Sequence, residues 1–219
     1  MNDVNFFNIQ SSNVTIEGCG KSSDYESINI SNSTTLVLNG ISNLPNEGYH
    51  IYSKGNKNCV YKNMNLKGIK TTLGRRCEST THPINGTGGI YIEKANPGTT
   101  ASGNTCNATI LENLLIDGTK AHGIYIDTPI LSKLDNIRLS NIAGHGVYIS
   151  GGTSTTLTSV YIASCELAGF LIHGSTYMDL INCVAENCGC GFWFRSAFNI
   201  STFNPGIEST KNKGGNPWS

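Results

Sequence analysis

Two carboxylates, Glu93 and Asp127, end the same short pattern, which reads IYIE at 90–93 and IYID at 124–127. Enzymes that hydrolyse polysaccharides commonly use two carboxyl groups about 5–9.5 Å apart, one to donate a proton and the other as base or nucleophile. The two residues are therefore predicted as a catalytic pair if the fold brings their patterns side by side. The alternative is that both are solvated surface acids.

Aromatic side chains precede polar ones in related segments further along the chain. The middle position of each segment is held in turn by Tyr91, Tyr125, Tyr148, Leu171 and Trp193. The position two residues later is held by Glu93, Asp127, Ser150, His173 and Arg195, and His122 and His145 stand just before two of the segments. Sugars pack their C–H faces on aromatic rings, and their hydroxyls need polar partners. The predicted substrate-binding residues are therefore Tyr91, Tyr125, Tyr148, Trp193, His145, His173 and Arg195.

Two other interpretations of these aromatic residues stay open. Tyr and Trp are also enriched at protein–protein interfaces, so the same strip would serve as a contact between subunits. Strand propensity alone accounts for some of the tyrosines.

The segments recur with a period of about 23 residues. Glycines at 123, 146 and 169 keep this spacing, as do Leu111, Leu134, Leu157, Leu180 and Phe203. Three short strands of alternating hydrophobicity in each repeat predict an all-β fold, a right-handed single-stranded parallel β-helix with three strands per coil. Equivalent residues of neighbouring coils would then stack about 4.8 Å apart. A β-sandwich or a propeller also has short strands, but neither requires several ladders locked to one period.

The stacking predicts which side chains face inward. The positions 111, 134, 157, 180 and 203 should form one buried column, and a second set of inward residues should begin the strands of one parallel sheet. That second set is Val14, Leu36, Met64, Leu114, Ile137, Val160 and Cys183. The eight cysteines are irregularly spaced and are predicted to be mostly buried free thiols, with Cys165 above Cys188. A disulfide between Cys77 and Cys106 is the alternative for that pair, and no metal site is predicted.

The interval between Met64 and Leu114 exceeds one coil. It predicts two excursions, at about 69–88 and 93–109, within a β-helix domain spanning 1–210 and followed by a polar tail at 211–219. Nothing at either end resembles a cap for the open coils, so the chain is expected to be a fragment or one domain of a longer protein.

Composition excludes several classes of function. Lys and Arg number 15 and Asp and Glu also 15, and this balance argues against a nucleic-acid binder and against a polybasic membrane surface. Asparagine is the most frequent residue, at 26 positions, which disfavours helices. No apolar run is long enough to span a membrane, so no membrane insertion is expected, and the first residues lack the features of a signal peptide. No cofactor is predicted.

Several coils resemble a known group of proteins. The segments SNVTIEG (12–18), AHGIYI (121–126), GHGVYI (144–149), NCVAEN (182–187) and GFWF (191–194) are similar to the pectate-lyase-like β-helices of bacteriophage tailspike and appendage proteins. The resemblance implies a homotrimer on the virion tail, joined to other tail domains, folded in the bacterial cytoplasm and extracellular after release. It further implies recognition of a bacterial surface polysaccharide, with or without its cleavage. The trimer is expected to bury the outward residues Val37, Leu115, Leu171 and Val184.

Two further functions remain open beside this one. The first is a secreted polysaccharide lyase or hydrolase of the pectate-lyase-like superfamily. The second is a non-catalytic structural shaft. The triplet 144–146 resembles a polygalacturonase motif, but the paired aspartates of that branch are missing here. Because the stretch 121–123 repeats it one coil earlier, the triplet is interpreted as a turn of the repeat.

Overall fold

The computed structural model of the chain describes residues 6–10, 14–17, 27–31, 36–39, 49–54, 58–67, 88–94, 105–119 and 121–208, which consist of strands and the turns between them. The strands are β1 (Phe6–Gln10), β2 (Val14–Glu17), β3 (Ser27–Ser31), β4 (Leu36–Asn39), β5 (Tyr49–Lys54), β6 (Cys59–Lys67), β7 (Gly88–Glu93), β8 (Cys106–Asn107), β9 (Ile110–Thr119), β10 (Ile124–Asp127), β11 (Pro129–Ile130), β12 (Lys133–Ile142), β13 (Val147–Ser150), β14 (Thr153–His173), β15 (Thr176–Ile181), β16 (Val184–Arg195), β17 (Phe198–Phe203) and β18 (Gly206–Glu208).

Each strand pairs in parallel with its equivalent one coil away, which confirms the predicted parallel β-helix. On one side, β7, β10, β13, the end of β14 and the end of β16 stack in register. The inward residues of this stack are Ile90, Ile124, Val147, Phe170 and Phe192. Long strands such as β14 bend around the corners of the coil, so one strand contributes to more than one side.

The core is a set of apolar columns inside the coils. Leu111, Leu134, Leu157 and Leu180 lie in register and are fully buried, as the spacing predicts. Full burial of each such side chain contributes about 1.5–3 kcal/mol to the free energy of unfolding. Each added coil therefore contributes a similar amount to the free energy of unfolding through this column.

Phe203 does not belong to this column. Thr202 pairs with Leu180, and Phe203 pairs with Ile181 and is 70% exposed. The reason is a shorter step: Thr176 pairs with Thr153 on one side and with Phe198 on the other, so the later coil is one residue shorter than the coil before it. Because side chains alternate between the two faces of a strand, a shift of one residue turns Phe203 outward.

The first members of the second predicted column divide between two sheets. Leu36 pairs with Val14 and with Cys59, not with Met64. Met64 pairs with Leu114, and the column then continues through Ile137 and Val160. The corner at Asn63 separates Cys59 from Met64, which explains why the interval between Leu36 and Met64 is longer than one repeat.

Asparagine forms many of the corners. Of the 17 non-glycine residues with positive φ in the described segments, nine are asparagine, a residue that tolerates the left-handed conformation well. One corner column contains Asn63, Asn113 and Asn136, and each amide donates to the one on the preceding coil, over 3.1 Å and 2.8 Å. These corners therefore hold nine of the 26 asparagines of the chain.

The described cysteines are buried thiols, as predicted: Cys59, Cys106, Cys165, Cys183, Cys188 and Cys190. Cys165 pairs with Ile142 below and Cys188 above. Cys106 lies in β8, which pairs with β11, so the end of the second predicted excursion belongs to the coil. Gly88 and Glu93, at the edges of the predicted excursions, also belong to the coil, in β7, whereas residues 69–87 and 95–104, with Cys77, and the tail at 211–219 lie outside the described residues.

Candidate functional site

A row of five polar side chains runs along one edge of the β-helix, one on each successive coil. We call it the polar row: Glu93, Asp127, Ser150, His173 and Arg195. Asp127, Ser150, His173 and Arg195 are paired directly in register. Glu93 and Asp127 each follow one of the paired residues Ile92 and Ile126. The row spans four coil steps, about 19 Å at the usual strand spacing.

The acid pair at the start of the row is enclosed and held by its neighbours. Glu93 is 9% exposed, and its Oε1 accepts a hydrogen bond of 3.0 Å from the Tyr91 hydroxyl. Asp127 Oδ1 accepts a hydrogen bond of 2.8 Å from the Thr128 hydroxyl and forms an ion pair of 3.7 Å with Lys94 Nζ. The two predicted catalytic residues are therefore brought together on adjacent coils.

Two other acid pairs lie on adjacent coils in the described segments, and neither is predicted from the aromatic pattern. Glu112 pairs with Asp135, and Glu186 pairs with Glu208. The Asp135 carboxylate accepts a hydrogen bond from Lys133 over 2.8 Å, and Glu186 accepts one from the Tyr161 hydroxyl. Both pairs are more exposed than Glu93, and neither adjoins the aromatic column. Enclosure therefore favours the pair formed by Glu93 and Asp127.

The aromatic residues beside the polar row are largely covered. Tyr125 is 4% exposed and Tyr148 3%, and with Leu171, Ala168 and Cys190 they form a second hydrophobic cluster outside the core. The rings of Tyr91, Tyr125 and Tyr148 follow one another at centroid distances of 4.7 Å and 4.8 Å, so they cover each other's faces. Tyr91 and Trp193 are half-buried, at the two ends of the column.

This burial changes the sugar-binding prediction. A sugar can stack only on an exposed ring face, so Tyr125 and Tyr148 offer it almost no surface in this structure. Leu171 is likewise buried within the chain, which removes it from the set of residues expected to await a neighbouring subunit. The side chain of Val37 lies outside the described residues. Tyr91 and Trp193 remain the aromatic residues of the column that a ligand can reach.

The two histidines lie inside this corner of the coil. His145 Nδ1 accepts a hydrogen bond of 3.0 Å from the Ala168 N–H, and His122 Nδ1 accepts one of 3.0 Å from the His145 N–H. Both rings are fully buried and stack at 5.1 Å. The imidazoles therefore supply backbone acceptors between coils. His145, predicted to bind substrate, lies beneath the surface in this structural role.

Charges are distributed unevenly along the polar row. Burial, and then the neighbouring Arg195 guanidinium, lower the pKa of His173, so its imidazole is neutral at pH 7. Arg195 is exposed and is the cationic end of the row, opposite the acidic end at Glu93 and Asp127. Burial raises the pKa of Tyr148, which keeps the hydroxyl protonated in the middle of the row.

Nothing in the described segments gathers three or more His, Cys, Asp or Glu side chains into a set that could hold a metal ion. Burial, with the nearby carboxylate of Asp127 as a smaller cause, raises the pKa of the Cys106 thiol well above its ordinary value. That thiol therefore stays protonated and is a poor nucleophile. Nowhere in the described part of the chain is there a helix with the length and apolarity that crossing a membrane requires.

Comparison with known proteins agrees with the fold. A family model described as "Right handed beta helix region" matches residues 122–215. The fold is a right-handed parallel β-helix. A search of curated proteins gives no match. Among solved structures, the chain is similar to a "putative glycosyl hydrolase" from Parabacteroides merdae, with 12% identity and a TM-score of 0.46 over 84% of this chain and 78% of that chain. At this level of similarity no activity is transferred from one protein to the other.

Proposed function

We propose that this β-helix binds a bacterial surface polysaccharide along the polar row and cleaves it at the acid pair of Glu93 and Asp127. The observation that carries the proposal is the arrangement of that row. It places an enclosed carboxylate pair at one end of an extended line of hydrogen-bonding side chains, with a half-buried aromatic ring near each end. An extended glycan matches such a line, because each sugar presents hydroxyls at a regular spacing along the chain.

The acid pair is suited to hydrolysis with retention of configuration. Adjacent coils lie about 4.8 Å apart, close to the separation of about 5–5.5 Å between the carboxyl groups of retaining glycosidases. In the proposed reaction Asp127, held by Lys94 and Thr128, attacks the anomeric carbon. Glu93, held by Tyr91, donates its proton to the leaving oxygen and then deprotonates the water that releases the sugar from Asp127.

The biological setting in this proposal rests on the resemblance to tailspike proteins. The chain would act as a homotrimer on a virion tail, joined to other tail domains, and would contact the host through its glycan. The outward residues Leu115 and Val184 are half-buried and would contribute to the contact between subunits. Light scattering on the full-length protein then serves as the check on assembly, and a stable monomer of that protein would contradict the trimer.

The catalytic part is tested by mutation of the acid pair. The chain is incubated with an array of bacterial capsular and O-antigen polysaccharides, and both binding and the release of new reducing ends are measured. We expect Glu93→Gln and Asp127→Asn each to slow release by about 100-fold or more, since acid–base groups contribute about 10²–10⁴ in rate, while binding persists.

The matched control is Asp135→Asn, which removes a carboxylate from a different acid pair and should leave release unchanged. Release that continues at the original rate in both Glu93→Gln and Asp127→Asn would contradict the catalytic role. Absence of binding to every polysaccharide on the array would contradict the proposed function itself.

A further inference from the structure

The two ends of the polar row differ in charge: the end at Glu93 and Asp127 is acidic, and the end at Arg195 is cationic. We propose that the glycan bound there carries an anionic substituent, a carboxylate or a sulfate ester, and that Arg195 binds this group three coils away from Asp127. The inference rests on the proposed function and adds the charge of the ligand and the position of its charged group. Arg195 would then determine specificity at a distance from the cleaved bond.

The state of the Arg195 side chain supports this assignment. It is exposed, and it forms no ion pair with any described residue. Three other described cations are engaged: Lys94 pairs with Asp127, Lys133 with Asp135, and the guanidinium of Arg138 lies 5.3 Å from the centre of the Tyr161 ring. The guanidinium N–H groups of Arg195 are therefore available to donate a bidentate pair of hydrogen bonds to an anionic oxygen group.

The neighbours of Arg195 fit a sugar carrying such a group. Trp193 precedes it by two residues and so lies on the same face of β16, half-buried, with ring surface for a sugar to stack on. His173 stands directly beside it in register and, being neutral at pH 7, adds a hydrogen-bonding group without a second charge. One stacked sugar would thus present one anionic substituent to one cation.

The opposite end of the row limits where along it the charged sugar can lie. Asp127, the nucleophilic carboxylate of the proposed reaction, repels an anionic substituent placed beside it, since like charges held close together in an enclosed site are unfavourable. A chain carrying its charged sugar at the acid pair would be rejected. The same chain with that sugar at Arg195 satisfies both ends, with about three coil steps between the charged group and Asp127.

The experiment compares charged and neutralised forms of the same glycan. Polysaccharides bound on the array are tested again after chemical reduction of their carboxyl groups to alcohols, and separately after removal of sulfate esters. Affinities are measured for the original chain, for Arg195→Gln and for Arg138→Gln, a matched loss of an arginine on another face. We expect one of the two chemical treatments, and Arg195→Gln, each to weaken binding at least about tenfold.

The two losses should not add, because both remove the same contact. The affinity of Arg195→Gln for the neutralised glycan should equal that of the original chain. The affinities of Arg138→Gln for both forms should equal those of the original chain. Binding confined to uncharged polysaccharides, or unchanged by Arg195→Gln, would overturn this inference and leave the proposed function standing. Absence of binding to every glycan would overturn both.

Discussion

His122 and His145 show how a single side chain can complete the backbone hydrogen bonding of a coil. At this corner the N–H groups of His145 and Ala168 donate to imidazole nitrogens of the preceding coil and not to carbonyl oxygens. A nitrogen that accepts a backbone hydrogen bond cannot carry a proton, so the bonded imidazole is the neutral form. The histidines therefore hold three successive coils together through two hydrogen bonds.

Replacement of His145 by leucine tests this role. Leucine fills a similar volume but leaves the Ala168 N–H buried without its acceptor. We therefore expect the free energy of unfolding to fall by about 1–3 kcal/mol. Urea denaturation followed by circular dichroism measures the change. His173→Leu is the control, because His173 lies on the partly exposed polar row, and equal losses in the two variants would contradict the role of the imidazole.

The residue scale is also where prediction from sequence reached its limit. Alternation along a strand correctly separates Ile124 and Ile126 from Tyr125, but it shows only the face of the sheet on which a side chain lies. It does not show what packs against that face. Tyr125 and Tyr148 point away from the core and are still covered, because the tilted rings of neighbouring tyrosines and the histidines of the preceding corner lie against them.

At the scale of the strands and corners, the period in the sequence carried most of the information. It predicted the registers of β9, β12 and β14, in which apolar residues repeat without interruption. The corners were less visible, since the left-handed column Asn136, Ser159 and Asn182 mixes two residue types. Conformation and not hydrophobicity selects these residues, so a search for apolar repeats misses them.

The glycines that stack at one corner, Gly123, Gly146 and Gly169, allow the packing of neighbouring coils to be tested. A Cβ at Gly146 would lie 2.7 Å from the Gly169 carbonyl oxygen and 2.7 Å from the Ile162 side chain, so two coils would have to separate. We expect Gly146→Ala to lower the free energy of unfolding by at least about 2 kcal/mol. Thermal or urea denaturation provides the measurement.

Gly174→Ala is the comparison for that variant. Its φ of +65° is strained for alanine, but the nearest atom to an added Cβ is 3.9 Å away. Only the backbone strain, about 1 kcal/mol, should then appear. A larger loss from Gly174→Ala than from Gly146→Ala would show that conformational strain, and not the close approach of coils, governs the glycine positions.

At the scale of the whole molecule, the coil is a unit that repeats its neighbours, and the accuracy of a prediction depends on an unchanged repeat length. A constant step carried the leucine column correctly from Leu111 to Leu180. The next step is one residue shorter, and it reversed the inward and outward positions beyond Leu180. A coil that is shorter by one residue is enough to exchange the inward and outward positions, and the composition of the chain does not reveal the change.

Two members of that predicted column, one in its middle and one at its end, provide a matched test of the architecture. Leu157 is fully buried between Leu134 and Leu180, whereas Phe203 is 70% exposed. Leu157→Asp places an unpaired charge in the core, and we expect it to cost more than about 4 kcal/mol, enough to unfold or aggregate the chain. Phe203→Asp should change the free energy of unfolding by less than about 0.5 kcal/mol. Circular dichroism and denaturation of both variants make the comparison, and a Phe203→Asp chain as damaged as Leu157→Asp would mean that Phe203 lies in the core after all.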